Sequence, residues 1–379
     1  MALVKFVCPC LFGLEGPLAD ELRRLGAADV SPDNGRVSFS GELSDLAGYN
    51  ISLRLAERVL IELGSFGAAT FDELFEGVKA LPLEDYIPLE GAYPVKGHSI
   101  GSALHSIPDC QRIIKKAASS RLSAKYGVEW LPETGETYQL QFSIMNDTAR
   151  IYLDTTGQGL HKRGYRPEGG DAPLRETLAA AMVNLSRYRG KGDFCDPFCG
   201  SGTIAIEAAM IAKNKAPGLL RGFAAESWRS LEKSVWREAR DKARSREYSG
   251  EYSIYGGDVD PRMIRLAEEN ARRAGVADIV KLEVSDARSF SRATERGLIV
   301  TNPPYGERLM EKREAEELYR RFGEAVLPLS GYGMYILSSH TEFERTFGGR
   351  ADKKRKLYNG MIKCELFIYN SKSGSEKRA

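Results

Sequence analysis

Eight residues, Asp196-Pro197-Phe198-Cys199-Gly200-Ser201-Gly202-Thr203, restrict the fold of this chain more than any other segment. They follow an apolar run around Phe194 and precede Ile204–Ala212, an apolar, alanine-rich stretch with helical character. A strand, a glycine turn and a helix in direct succession form the opening unit of a doubly wound parallel α/β sheet. Such a sheet binds its ligands at the carboxyl ends of its strands. The rest of the chain repeats the alternation. Strand-like runs at Tyr252–Tyr255, Val280–Val284, Gly297–Thr301, Tyr332–Ser338 and Met361–Tyr369 are interleaved with helical patterns at Pro261–Ala274 and Glu314–Leu327. A basic stretch, Arg350–Lys356, stands before the last strand.

Upstream the texture differs. Leu3–Cys8 and Gly35–Ser40 look like strands, and Gly16–Leu25, Leu46–Leu53 and Thr70–Val78 like helices, with Thr70 as an N-cap. Pro94–Ile100 is extended, and Thr137–Ile144 and Thr148–Asp154 alternate as a hairpin around Asn146-Asp147. Between them, Asp109–Tyr126 is an amphipathic helix whose outer face carries Arg112, Lys115, Lys116, Arg121 and Lys125. Taken alone, such a face is as readily explained by solvation as by a partner. Gly159–Arg166 is a basic, glycine-punctuated connector, and Leu174–Tyr188 reads as a helix.

Composition sets outer limits. A chain of 379 residues with 42 % hydrophobic and 28 % charged content has room for two or three folded domains. No apolar run approaches the roughly 18–20 residues that span a bilayer, and the first residues lack the pattern of a signal peptide. A cytoplasmic location without membrane attachment is expected. Six cysteines, at 8, 10, 110, 195, 199 and 364, are too few and scattered for a disulfide framework. Their spacing makes no zinc site, so no metal is expected and the thiols read as reduced and mostly buried. Net charge is +2, but residues 1–170 hold 17 Lys/Arg against 22 Asp/Glu, while residues 171–379 hold 37 against 30. A nucleic-acid surface would therefore have to be local.

The glycine loop points to a particular ligand. Gly200 and Gly202 allow a tight turn and close approach of the backbone, and the helix behind them offers N–H groups to an anion. A dinucleotide fingerprint would need a third glycine where Ala205 stands, with an acid about 20 residues on; the first acid at a convincing second strand end is Asp258. No Gly-Lys-Ser/Thr follows, which removes an ATP P-loop. S-adenosylmethionine (AdoMet) fits instead: its methionine carboxylate at the helix start, its ammonium group or an ordered water near Asp196. Asp258 then suits the ribose hydroxyls, Val259 the adenine face, and Asp286, followed by Ala287, the adenine amino group. Asp260 is better read as the cap of the helix beginning at Pro261.

Asn302-Pro303-Pro304-Tyr305 follows the apolar Leu298–Val300. An exocyclic aromatic amine is a poor nucleophile because its lone pair is delocalised into the ring. Two acceptors on its N–H bonds let the nitrogen turn tetrahedral and aim the lone pair at a methyl donor. The Asn302 side chain and the Pro303 carbonyl can supply them, the prolines stiffen the loop, and Tyr305 offers a face for a flipped-out base. No thiol is expected near this loop, so thiol-dependent carbon methylation is disfavoured.

With these residues in hand, the chain resembles the THUMP-domain RNA guanine-N2 methyltransferases over nearly its whole length. The likeness is carried by Ser106–Gln111, Leu160–Arg166, Ala172–Ala181, the glycine loop, Asp258–Pro261 and Asn302–Leu309. It implies a ferredoxin-like segment (1–65), a THUMP RNA-binding module (66–157), a linker and helix (158–190), a Rossmann-like AdoMet-dependent methyltransferase domain (191–370) and a frayed tail (371–379). It also implies that Pro173, Leu174 and Thr177 line the AdoMet pocket and that S-adenosylhomocysteine (SAH) is the product. Arg112, Lys115 and Lys116 on the basic helix, with Lys162, Arg163 and Arg166 on the connector, are the expected RNA contacts.

The likeness is strongest to the first catalytic half of bacterial enzymes that methylate a guanine of large-subunit 23S ribosomal RNA. The long members carry a second methyltransferase half with no counterpart here, and relatives of this length also act on tRNA. Two other readings stand beside guanine-N2 transfer: adenine-N6 methylation of DNA, which uses the same Asn-Pro-Pro-Tyr chemistry, and a non-catalytic RNA-binding factor. The front module favours RNA, because no DNA-reading helix-turn-helix is evident.

Overall fold

The computed structural model describes residues 3–166, 174–305 and 309–371, without the side chains of 309–312. They fall into two compact units. One contains the chain up to Cys10, Leu18–Leu160 and Arg221–Asp241; the other contains Leu11–Pro17, His161–Leu220 and the chain from Lys242 onward.

The first unit is built on one sheet. Its strands are β1 (Val4–Pro9), β2 (Ala28–Asp33), β3 (Arg36–Gly41), β4 (Leu60–Gly67), β5 (Val95–Ile100), β6 (Leu140–Met145) and β7 (Thr148–Asp154), and its helices α1 (Glu15–Arg24), α2 (Leu46–Ser52), α3 (Phe71–Lys79) and α4 (Ile107–Tyr126). The order β2-β3-β1-β4-β7-β6-β5 makes seven strands continuous. Strand β4, which spans the 65/66 boundary expected between the ferredoxin-like and THUMP modules, pairs with β1 on one side and β7 on the other. Local chemistry explains the ends. Thr70 and Glu73 form a reciprocal capping box at α3, and Gly127, with φ +65°, closes α4. Asn146 and Asp147 both take positive φ, as the tight turn between β6 and β7 requires.

The second unit holds the expected alternation: α5 (Glu176–Leu185), β8 (Asp193–Asp196), α6 (Thr203–Ala212), then, after α7 (Lys233–Arg244), β9 (Ile254–Asp258), α8 (Pro261–Ala274), β10 (Val280–Val284) and β11 (Gly297–Thr301). It closes with α9 (Leu309–Val326), β12 (Tyr332–Ser338), α10 (Phe343–Phe347), β13 (Lys353–Asn359) and β14 (Ile362–Tyr369). The order is β10-β9-β8-β11-β12-β14-β13. The first five strands are parallel, and β14 and β13 are antiparallel. The sheet is thus mixed. The basic stretch before the last strand runs into strand β13, which pairs as a hairpin with β14.

A second departure concerns residues 221–241, which lie within the expected catalytic domain but pack in the first unit. The Trp228 indole N–H donates to the Thr137 carbonyl at 3.0 Å, and its ring stacks on Tyr138 at 5.0 Å. The backbone N–H groups of Ala224 and Ala225 donate to Thr156 and Thr155. Among the described residues, no helix is long and apolar enough to cross a membrane.

Candidate active site

The glycine loop occupies the turn between β8 and α6. Gly200 and Gly202 both take left-handed φ, +50° and +82°, where a side chain would be strained. A Cβ on Gly202 would stand 2.9 Å from that of Ala267, whereas one on Gly200 would project into open space. Gly202 thus serves close packing on α8, and Gly200 keeps a cradle open. The Gly200 N–H donates to Asp258 Oδ2 at 3.0 Å and the Cys199 N–H to the Gly257 carbonyl at 2.8 Å, fixing the loop to β9. No side chain caps α6, and its first N–H groups have no intrahelical acceptor. Pro197, Phe198 and Ser201 complete the turn. Thr203, buried, begins the helix.

Asp196 is 1 % exposed. Its Oδ1 accepts from the Thr301 hydroxyl at 2.6 Å, while its Oδ2 is buried with no hydrogen-bond partner among the described residues. Burial pushes its carboxyl up to about 7, against the lowering effect of the Thr301 hydrogen bond. A buried acceptor left open beside a glycine cradle is what a cationic ammonium or its water would satisfy. On this observation the residues fit AdoMet.

The acidic strand ends lie where strand order places them. Asp258 Oδ1 accepts from the Asp260 N–H at 2.9 Å. Asp260 caps α8 through the Arg262 N–H and pairs with the Arg262 side chain, matching the capping role expected of it. Val259 is 63 % exposed, an apolar face without cover. A cleft of about 250 Å³ is lined by Asp196, Pro197, Gly257, Ser285, Asp286 and Ala287, together with Tyr255, Phe290 and Arg292. The last three carry no sequence signal: the Arg292 guanidinium lies 3.4 Å over the Tyr255 ring and reaches Asp193 at 3.2 Å. Asp286 is partly engaged, since it pairs with Arg288. Leu174 and Thr177 are buried at the start of α5; Pro173 lies outside the described residues.

β11 runs beside β8 and delivers Asn302 one residue after Thr301. The Thr301–Asp196 bond therefore ties the Asn-Pro-Pro-Tyr loop to the glycine loop. The Tyr305 hydroxyl donates to Asn302 Oδ1, and Tyr319 donates to the Pro304 carbonyl at 2.6 Å. Pro303 is buried, and the Pro304 carbonyl is occupied by the Tyr319 hydroxyl. Tyr305 thus holds Asn302 by its hydroxyl, in addition to the ring face expected of it.

One expectation is overturned. A thiol does lie near this loop, because β14 brings Cys364 Sγ to 3.6 Å from the Tyr305 hydroxyl. It is 1 % exposed, and burial pushes its pKa above the usual thiol value. A protonated thiol donating to a phenol is no nucleophile, so carbon methylation gains nothing from it. All six cysteines are buried.

The connector arginines also need correction. Arg163 is 1 % exposed and paired with Glu207 at 3.3 Å, with Tyr165 donating to the same carboxylate. Arg166 makes a two-pronged pair with Glu176 and reaches the Thr203 hydroxyl at 3.3 Å. Both brace α5 and α6 behind the glycine loop, and neither presents its charge to RNA. Lys162 is exposed. On α4, Arg112 and Lys116 are exposed, Arg112 beside Asp109. Lys115 is turned onto Glu133 and the Tyr93 ring, the latter at 3.5 Å. Arg121 pairs with Glu84. The basic face is therefore partly neutralised.

Comparison with known proteins agrees with this geometry. The profile of the RMKL-like methyltransferase domain matches residues 163–368, that of the RlmL ferredoxin-like domain residues 5–60 and that of the THUMP domain residues 68–154. YpsC of Bacillus subtilis, named as a candidate RNA methyltransferase, is 44 % identical over 97 % of this chain and 96 % of its own. The ribosomal RNA large subunit methyltransferase K/L of Syntrophotalea carbinolica is 37 % identical over 97 % of this chain but 54 % of its own, so the chain spans about half that relative's length. A crystal structure from Listeria monocytogenes, described as a predicted N6-adenine-specific DNA methylase, superposes with a TM-score of 0.93 at 44 % identity, covering 98 % of this chain and 97 % of that one. SMU.472, a candidate methyltransferase crystallised with SAH, does so at 0.92 and 41 %, covering 98 % and 99 %. The chain belongs to the RMKL-like methyltransferase family, and S-adenosylmethionine is its cofactor.

Proposed function

We infer that this enzyme transfers a methyl group to the exocyclic N2 of a guanine in RNA, with large-subunit ribosomal RNA as the substrate class. The observation that carries the reading is Asn302. Its side-chain oxygen is held by Tyr305 and follows a residue bonded to Asp196, so an amino acceptor and the methyl donor would meet at one point. The bound cofactor supplies an electrophilic methyl on a sulfonium. Asn302 Oδ1 and the Pro303 carbonyl accept the two N–H bonds of the amine and orient its lone pair; orientation then supplies much of the rate. Val259 and the cleft beside Asp286 hold the adenine, and Asp258 the ribose. The THUMP profile and the ribosomal RNA relatives support RNA.

The Listeria neighbour's name keeps adenine-N6 transfer as the competing reading. Incubation with labelled AdoMet and total RNA, followed by mass spectrometry of nucleosides, separates them. Label is expected in N2-methylguanosine; label confined to N6-methyladenosine overturns the guanine assignment.

A pH dependence follows from Asp196. Its pKa near 7 exceeds the ordinary 3.8, so the folded protein retains a proton that the unfolded chain loses. The contribution to stability of the cofactor-free protein thus falls as pH rises between those values. An ammonium group favours the ionised form, so SAH affinity rises as pH increases toward about 7 and levels off above it, with a slope of up to about tenfold per pH unit. Calorimetry across that range tests this, with Asp196→Asn as the control. A flat profile in the unsubstituted enzyme removes Asp196 from the ammonium site.

A further inference from the structure

The hairpin formed by β13 and β14 has no part in the chemistry described so far. Residues 350–363 hold Arg350, Lys353, Lys354, Arg355, Lys356 and Lys363 against a single acid, Asp352. Lys354 is engaged by Glu344 at 2.8 Å and lies 4.0 Å from Glu365. Lys353, Lys356 and Lys363 are exposed. Strand register pairs Tyr358 with Lys363, and Lys356 lies two residues from Tyr358, so the three share one face. On that face the Lys356 ammonium sits 5.5 Å from the Tyr358 ring centre. Phe12, 59 % exposed, meets the same ring edge-on at 6.4 Å.

The turn carries a second anomaly. Met361 is 98 % exposed and the neighbouring Ile362 is 38 % exposed. A fully exposed methionine at the end of a cationic hairpin buries almost nothing in this unit and adds little to its stability. The hairpin is also continuous with the site: Cys364 bonds the Tyr305 hydroxyl at 3.6 Å, and the Asn359 side chain reaches the same hydroxyl. Asn359 and Ile362 are paired across the turn. The turn therefore stands directly beside the loop that receives the target base.

We propose that the β13–β14 turn, with Phe12, is a single-strand contact surface that holds the nucleotides flanking the target base. Phe12, Tyr358 and Met361 supply flat or apolar faces for unstacked bases, and Lys353, Lys356 and Lys363 supply charge for their phosphates. Interleaved aromatic and cationic groups recognise single-stranded nucleic acid in this way, because every base has a stacking face and every linkage a phosphate. The charge count selects a polyanion over a protein partner. This inference rests on the reading that the substrate is RNA.

The test uses the full chain with Met361→Ala, and separately Lys356→Ala with Lys363→Ala. Both sets alter exposed side chains, and unchanged SAH affinity confirms an intact catalytic unit. The probes are a short fluorescent single-stranded RNA of mixed sequence and its duplex. Met361→Ala is expected to weaken single-strand binding by about tenfold and leave duplex binding unaltered. The double lysine variant is expected to lower the slope of log affinity against log salt by about 1.4 for the single strand. Wild-type binding that neither variant changes overturns the hairpin assignment and leaves the RNA reading standing. Failure of the wild type to bind or methylate RNA overturns both.

Discussion

Asn302→Ala is expected to lower kcat for methyl transfer by about a thousandfold, the upper range for losing one preorganised polar partner in a transition state, and to leave SAH affinity unchanged. The asymmetry follows from where the side chain sits. Asn302 contacts Tyr305 in the Asn-Pro-Pro-Tyr loop, whereas Asp196, the proposed ammonium partner, is held by Thr301 and the glycine loop by Asp258. Alanine leaves all of those contacts in place. It removes the oxygen proposed to accept an amine N–H, so on that reading the lone pair is no longer directed at the methyl. Asn302→Asp, which keeps an acceptor, should retain more activity than alanine. Tyr305→Phe should retain more still, since it deletes only the hydroxyl that positions Asn302. Single-turnover transfer together with calorimetric titration of SAH measures both quantities. Activity of the alanine variant within about tenfold of the unsubstituted enzyme would show that Asn302 does not take this part.

Glu207→Ala is expected to destabilise the second unit by about 3–5 kcal/mol, the cost of leaving one member of a buried ion pair without its partner. Arg163 and Glu207 are 1 % and 0 % exposed, so water does not replace the lost carboxylate. Glu176 also acts on Arg163 electrostatically, which softens the loss without removing it. Replacing both members, with Arg163→Met and Glu207→Leu, should recover most of the stability, because apolar side chains of similar volume fill the site without a stranded charge. Urea denaturation of the three variants and the parent provides the comparison. A loss below about 1 kcal/mol for Glu207→Ala would mean that the guanidinium finds other acceptors.

The parallel part of the catalytic sheet was legible because its inner strands are largely buried and read as short apolar runs, as at Leu298–Val300 and Tyr332–Ser338. The glycine loop, Asp258 and Asp286 were legible because each lies at or just after the end of a recognisable strand. Strand β13 was not, since Lys353–Lys356 is wholly cationic; an edge strand tolerates such charges because one side and one face meet water. The continuity of β4 across the expected module boundary was hidden for another reason: pairing with β1 and β7 is long-range and leaves no period. The same holds for Thr301, Cys364 and Arg292, whose contacts span 105, 59 and 99 residues. Arg163 and Arg166 were misjudged because a basic cluster is normally solvent-facing, and their carboxylate partners lie on α5 and α6. Sequence spacing gives no hint of such pairing.

The placement of residues 221–241 bears on how this enzyme can be altered by recombination. The chain leaves the catalytic unit after Leu220, completes the first unit with Trp228, and returns at Lys242. A single crossover therefore cannot transplant either half whole. A front half grafted from another protein would arrive without the segment that covers Tyr138, and the recipient would retain a tryptophan with no surface to bury it. Exchange of substrate-recognition modules within this architecture thus requires at least two matched events, and the two halves are expected to be inherited together.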